Sequence, residues 1–152
     1  MKNMDTATQP FVKFLSSSEH YTADACVVWC FDDRFYKLLK AFGKEEKFAH
    51  IDLVKIAGGA KALAGDASPE RDFVLDQIKK SIMLHGTKRV ILMLHRDCGA
   101  YGGSKAFEDA DAERAELISQ LHRAQDFVRK ELPGRSVDGC FADFDGLYIH
   151  QR

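Results

Sequence analysis

The sequence predicts an α/β fold: a mostly parallel central sheet of about four strands plus a final edge strand, flanked by helices. Three observations carry that prediction. Apolar, β-branched runs alternate with amphipathic stretches, the order that builds a parallel sheet with right-handed crossovers. Two of the runs, ACVVWC from Ala25 and RVILML from Arg89, are apolar at successive positions, as strands covered on both faces are. Residues capable of chemistry crowd immediately after those two runs, beyond the carboxyl ends of the strands, where such sheets place their sites.

The elements follow in order. Residues 1–22 are polar and irregular and are expected to form an N-terminal arm or short helix, with Phe11, Phe14 and Leu15 offering a small apolar face. Residues 23–152 are expected to form a single domain. Residues 25–29 read as a buried first strand. FYKLLKAF, residues 35–42, reads as a short amphipathic helix with Gly43 placed to stop it. IDLVKI, residues 51–56, alternates as a second strand and runs into the loop AGGAKALAG. Ser68-Pro69 opens a helix, because serine caps free N–H groups and proline fits the first turn. Val74, Ile78 and Ile82 space its buried face, and Gly86 closes it. RVILML is the third strand. Residues 112–132 form the longest helix, with Leu117, Leu121, Ala124 and Val128 inward and Pro133-Gly134 as the stop. Residues 136–141 and 147–150 are the last two strands, joined at Asp145-Gly146.

Composition narrows the function. A net charge of −1 gives no general field to draw nucleic acid or an anionic membrane, so neither is expected as a partner. No apolar run approaches the ~20 residues that a membrane span needs. The start, MKNMDTATQPFVKF, lacks the apolar segment of a secretory signal, so a cytoplasmic location is expected. In that reducing compartment the four cysteines are core fillers, metal ligands or catalysts rather than disulfides.

Cys30 ends the first strand and is followed by Phe31-Asp32-Asp33-Arg34, and LHRDCGA ends the third. If those strands are neighbours, Cys30 reaches the same edge as His95 and Cys98. Together they supply three protein ligands of Cys₂His type and leave a fourth position open to water, the pattern of a catalytic rather than a structural zinc site. With the chain extended past the strand, residues 30, 32 and 34 point the same way. Asp32 then hangs beside the metal and Arg34 clamps it, keeping an ionised carboxylate ready to take a proton from metal-bound water.

These motifs resemble those of the β-class carbonic anhydrases, Cys-x-Asp-x-Arg and His-x-x-Cys-Gly, present here in order as CFDDR and HRDCG. The loop IAGGA and the segment VDGCFADFDGLYI extend the resemblance over most of the chain from Ala25 onward. It implies Zn²⁺ on Cys30, His95 and Cys98, an Asp32–Arg34 dyad, and reversible hydration of CO₂ to bicarbonate by a metal-bound hydroxide. It also implies a homodimer, or higher homo-oligomer built on it, whose cleft is lined partly by the partner subunit. Ile56 stands where the family often has Asn, and Tyr21 where many members have Gln. Related proteins of that fold hydrolyse carbon disulfide or carbonyl sulfide, which makes a hydrolase of a CO₂-like sulfur compound the alternative. A non-catalytic zinc-binding protein is a further one.

Other polar residues take plainer readings. Cys26 and Cys140 read as core hydrophobes, Asp33 as a solvated loop charge, and KEEK at 44–47 as a solvated face. His20, His50, His85, His122 and His150 lack a partner motif, and His85 suits the negative end of its helix. Gly58-Gly59 lacks the spacing of a phosphate cradle.

Overall fold

The computed structural model describes residues 9–150. Five strands form one sheet in the order β2-β1-β3-β4-β5. They are β1 (Ala25–Cys30), β2 (Ile51–Ile56), β3 (Arg89–His95), β4 (Ser136–Asp143) and β5 (Gly146–His150). The first four pair in parallel, and β5 returns antiparallel along the edge of β4. The helices are α1 (Tyr36–Glu45), α2 (Lys61–Ala64), α3 (Pro69–His85) and α4 (Ala110–Glu131). The predicted fold class is the observed one.

Alternate positions of β1 and β3 feed two cores. Cys26, Val28, Val90, Leu92 and Leu94 pack with Ile78 of α3 and with Leu117 and Leu121 of α4. Ala25, Val27, Trp29, Ile91 and Met93 pack with Phe35, and with Leu39 and Phe42 of α1, on the other face. Both central strands therefore need apolar residues at every position, which is why they read as unbroken apolar runs. Cys26 and Cys140 are fully buried in these cores. Burial pushes their thiols up, to about 11 and about 12, as fits inert core residues.

Helix ends follow local chemistry. Ser68 caps α3 by accepting the Arg71 N–H at 3.1 Å, and Gly86 closes it in the left-handed conformation (φ 61°). Asp109 caps α4 by accepting the Ala112 N–H at 2.8 Å, which starts that helix two residues earlier than its apolar spacing suggests. Gly43 does not stop α1. The helix runs on to Glu45, and Lys47 takes the left-handed turn at φ 57°. There Phe48 N–H donates to the Gly43 carbonyl at 2.9 Å and Lys47 N–H to the Lys44 carbonyl at 3.1 Å, the paired bonds of a Schellman stop. Of the predicted arm, residues 1–8 lie outside the described residues. Residues 9–22 contain no helix, and Phe11, Phe14 and Leu15 are exposed.

Candidate metal centre

β1 and β3 lie side by side in parallel, so their carboxyl ends deliver Cys30 and His95 to one edge of the sheet. The turn after β3 brings Cys98 back to them. One ligand atom from each of Cys30, His95 and Cys98 lies within 4.8 Å of the others, and all three residues are buried. The His95 Nδ1–H donates to the Arg96 carbonyl at 2.7 Å, because a carbonyl can only accept. That bond fixes the tautomer and leaves a lone pair on Nε2, which is buried without a hydrogen-bond partner. Phe35 holds the other side of the ring, 4.5 Å between centroids.

The thiols are equally prepared. The Cys98 thiol beside Cys30 holds Cys30 well below the usual thiol range, and the neighbouring His95 ring and the Asp32 and Gly58 N–H groups outweigh desolvation. The same Cys30 contact pushes Cys98 up, with burial adding. Burial disfavours the His95 imidazolium, but the neighbouring Cys30 sulfur and the bond to the Arg96 carbonyl win and raise it. A buried imidazole lone pair within 4.8 Å of two thiol sulfurs fits a soft-to-borderline cation, so this group can hold a metal ion.

The loop after β2 closes over the strand ends. Gly59 sits at φ 55°, and a Cβ there would lie 2.4 Å from the Met93 carbonyl oxygen and 3.2 Å from the Cys30 nitrogen. Only glycine allows that approach. Ala60 N–H donates to the Met93 carbonyl at 3.0 Å and Phe31 N–H to the Ile56 carbonyl at 3.0 Å. Beside this loop lies an open groove of about 950 Å³, lined by Ile56, Ala57, Ala100, Val74 and Phe73 among others.

The structure pairs Asp32 with Arg34, though by a different route from the extended chain that the sequence suggested. The backbone turns at once into a 3₁₀ turn, Asp33–Phe35, and Asp32 caps it by accepting the Arg34 N–H at 3.1 Å. The guanidinium then folds back as a fork, Nε to Oδ1 at 3.0 Å and Nη2 to Oδ2 at 2.7 Å. Arg34 thereby holds the Asp32 carboxyl below its usual range. Its Cζ also lies 5.3 Å from the Phe144 ring, a cation–π contact. Asp33 faces solvent, as expected.

Three residues missed in the sequence complete the surroundings. Asp97 accepts Arg34 Nη1 at 3.1 Å, and its N–H donates to Glu113 at 2.6 Å. Glu113 also accepts the Ser104 hydroxyl at 2.8 Å. Tyr21 lies at the opposite end of the sheet, where its hydroxyl donates to Asp52 near the start of β2 at 2.8 Å.

A parallel α/β sheet with a buried Cys-His-Cys group at its carboxyl edge defines the class to which this chain is similar. The family described as "Putative carbonic anhydrase" matches residues 20–148, and the chain belongs to that family. An uncharacterized protein of Rickettsia conorii is 28% identical over 153 residues, covering 93% of this chain and 81% of its own length. The fold is that of β-carbonic anhydrase isoform I from Trichomonas vaginalis, with a TM-score of 0.59 at 15% identity, covering 91% of this chain and 86% of that one. A carbon disulfide hydrolase shares the fold at a TM-score of 0.54 and 12% identity, covering 86% and 80%. No helix among the described residues is long and apolar enough to cross a membrane.

Proposed function

We propose that the protein is a zinc-dependent carbonic anhydrase, converting CO₂ and water reversibly to bicarbonate and a proton. The observation that carries this reading is the buried, unpartnered Nε2 of His95 facing two thiols, beside a carboxylate already fixed by a guanidinium. Cys30, His95 and Cys98 would hold the ion, and Asp32 and Arg34 are the catalytic pair. Zinc bound there supplies a Lewis-acidic centre that lowers the pKa of water, less strongly with two thiolate ligands than with three imidazoles. Asp32 accepts a proton at a carboxylate oxygen. Arg34 keeps that carboxylate ionised, oriented and away from the ligand atoms. The Gly58-Gly59 loop keeps the strand ends covered.

In this reading residues 23–152 form the working domain and residues 1–22 an arm that reaches a second copy. The exposed Phe11, Phe14 and Leu15 support association, since three bare apolar side chains in one short segment favour a partner. Hydrolysis of carbon disulfide or carbonyl sulfide is the second reading, favoured by the fold shared with a carbon disulfide hydrolase.

The test is stopped-flow CO₂ hydration by zinc-loaded protein from pH 6.5 to 9, with metal content measured in parallel. Turnover that rises toward alkaline pH is the expected result. No hydration at any pH with zinc fully bound rejects it. Hydrogen sulfide release from carbon disulfide by the same sample would then establish the second reading, and its absence would leave a non-catalytic zinc protein.

A further inference from the structure

We propose that Glu113 is a positioning residue for the metal centre: it sets the loop that carries Cys98 and, through Asp97, the place of Arg34. The proposal rests on the metal reading of Cys30, His95 and Cys98.

Glu113 stands one turn ahead of Leu117 on the buried stripe of α4 and is 0% exposed. A buried carboxylate is strongly unfavourable without partners, so the donors that satisfy it are a strong constraint on their own positions. All three donors come from one loop. Oε1 accepts the Asp97 N–H at 2.6 Å, and Oε2 accepts the Ser104 hydroxyl at 2.8 Å and Arg96 Nη1 at 3.2 Å. Asp97 is held at φ 55°, a conformation unfavourable for a non-glycine residue, and the bond from its N–H to Glu113 helps retain it there. Cys98 follows directly. The loop is also tied to itself, because Asp97 Oδ1 accepts the Ser104 N–H at 2.8 Å and the Cys98 carbonyl accepts the Gly103 N–H at 2.9 Å.

The far side of Asp97 reaches the dyad. Its Oδ2 accepts Arg34 Nη1 at 3.1 Å and its carbonyl accepts Arg34 Nη2 at 3.2 Å. Arg34 thus joins the Cys30 loop to the Cys98 loop, and both are referred to a carboxylate buried at the start of α4. Arg96 braces the opposite flank through Asp143, Nε to Oδ1 at 2.7 Å. Glu113 itself is not among the three ligands. Its influence is on where the thiolate and the guanidinium stand.

The experiment uses the full chain as wild type, Glu113→Gln and Ser104→Ala. Zinc affinity is measured by chelator competition, and Co²⁺-loaded protein is examined for its thiolate-to-cobalt charge-transfer band. Glutamine keeps the volume and an acceptor for Asp97 but removes the charge facing Arg96. Glu113→Gln is expected to bind zinc about 10–100-fold more weakly and to shift the band. Ser104→Ala is expected to move both readouts the same way by less. A folded Glu113→Gln with wild-type affinity and band overturns the proposal, since a purely stabilising role changes the unfolding midpoint alone. If Glu113→Gln does not fold, Ser104→Ala decides: a weaker site supports the proposal and an unchanged one overturns it. A wild-type chain that binds neither metal overturns the metal reading and this proposal together, a result distinct from the others.

Discussion

The two ends of the sheet each hold a polar cluster containing an aspartate and a histidine, and the clusters are finished differently. At the amino end, Asp52 accepts the Tyr21 hydroxyl at 2.8 Å, the Ser81 hydroxyl at 2.7 Å and the His85 Nδ1–H at 2.7 Å. Ser81 and Thr87 share a further bond at 2.6 Å. Bonds from Ser81, His85 and Tyr21 prevail over burial and hold the Asp52 carboxyl below its usual range. Tyr21 also packs on the His85 ring, 4.2 Å between centroids. At the carboxyl end, by contrast, the His95 Nε2 is buried and left unpaired. An unpaired imidazole nitrogen beside two cysteine sulfurs suits a metal ion. The first cluster ties the chain before β1 to the sheet, and the second can hold an ion.

Breaking each end separately should expose that difference, and the largest effect belongs to the ligands. Wild-type protein is expected to carry close to one zinc per chain, and Cys98→Ser to lose most of it by elemental analysis. An absence of transition metal from fresh, unchelated wild type would erase the contrast. Next comes Arg34→Ala, which frees Asp32 without touching a ligand. CO₂ hydration should fall about 100-fold or more while zinc stays bound, and full activity would remove Arg34 from the catalytic pair. At the other end, Asp52→Ala strands the Ser81, His85 and Tyr21 donors. It should cost about 2–3 kcal/mol in urea unfolding and leave zinc content unchanged.

The smallest effect is in pH. Because the folded Asp52 pKa lies below its unfolded value of about 3.9, the stability that it contributes is fully present above that value. It is lost as pH falls through the folded pKa. The stability gap between wild type and Asp52→Asn should therefore be full at pH 6 and close below about pH 4, measured by urea midpoints across that range. A gap that is constant with pH would show that charge plays no part in this cluster.

Much of this was legible because strand ends and motifs coincide. The apolar runs of β1 and β3 leave no polar face, which marked both as covered on two sides, and the structure supplies the adjacency that the sequence reading took as a condition. Cys30, His95 and Cys98 then fell to one edge by topology. The geometry beyond Cys30 was not legible from strand periodicity, since Asp32 caps a turn and ends the extended chain there. Its pairing with Arg34 survives because an aspartate two residues before an arginine can be clamped in either conformation. Gly43 misled for a related reason. Composition marks it as a stop, yet a Cβ there would meet nothing within 4 Å and the left-handed role falls to Lys47. Glu113 did leave a trace, a carboxylate in register with Leu117, Leu121, Ala124 and Val128 on a stripe that should be apolar throughout. Its partners come from a loop whose path no periodicity reveals.

Cys30 closes β1 and His95 closes β3, with α1, β2, α2 and α3 threaded between them. An ion gripped by both would act as a clip across that whole stretch, shrinking the freedom of the unfolded chain much as a covalent cross-link does. The grip cannot form in fragments, because neither strand carries enough ligands alone. Metal uptake would come after the first crossover is in place, and the metal content of a preparation would count the chains whose strands had found their proper neighbours.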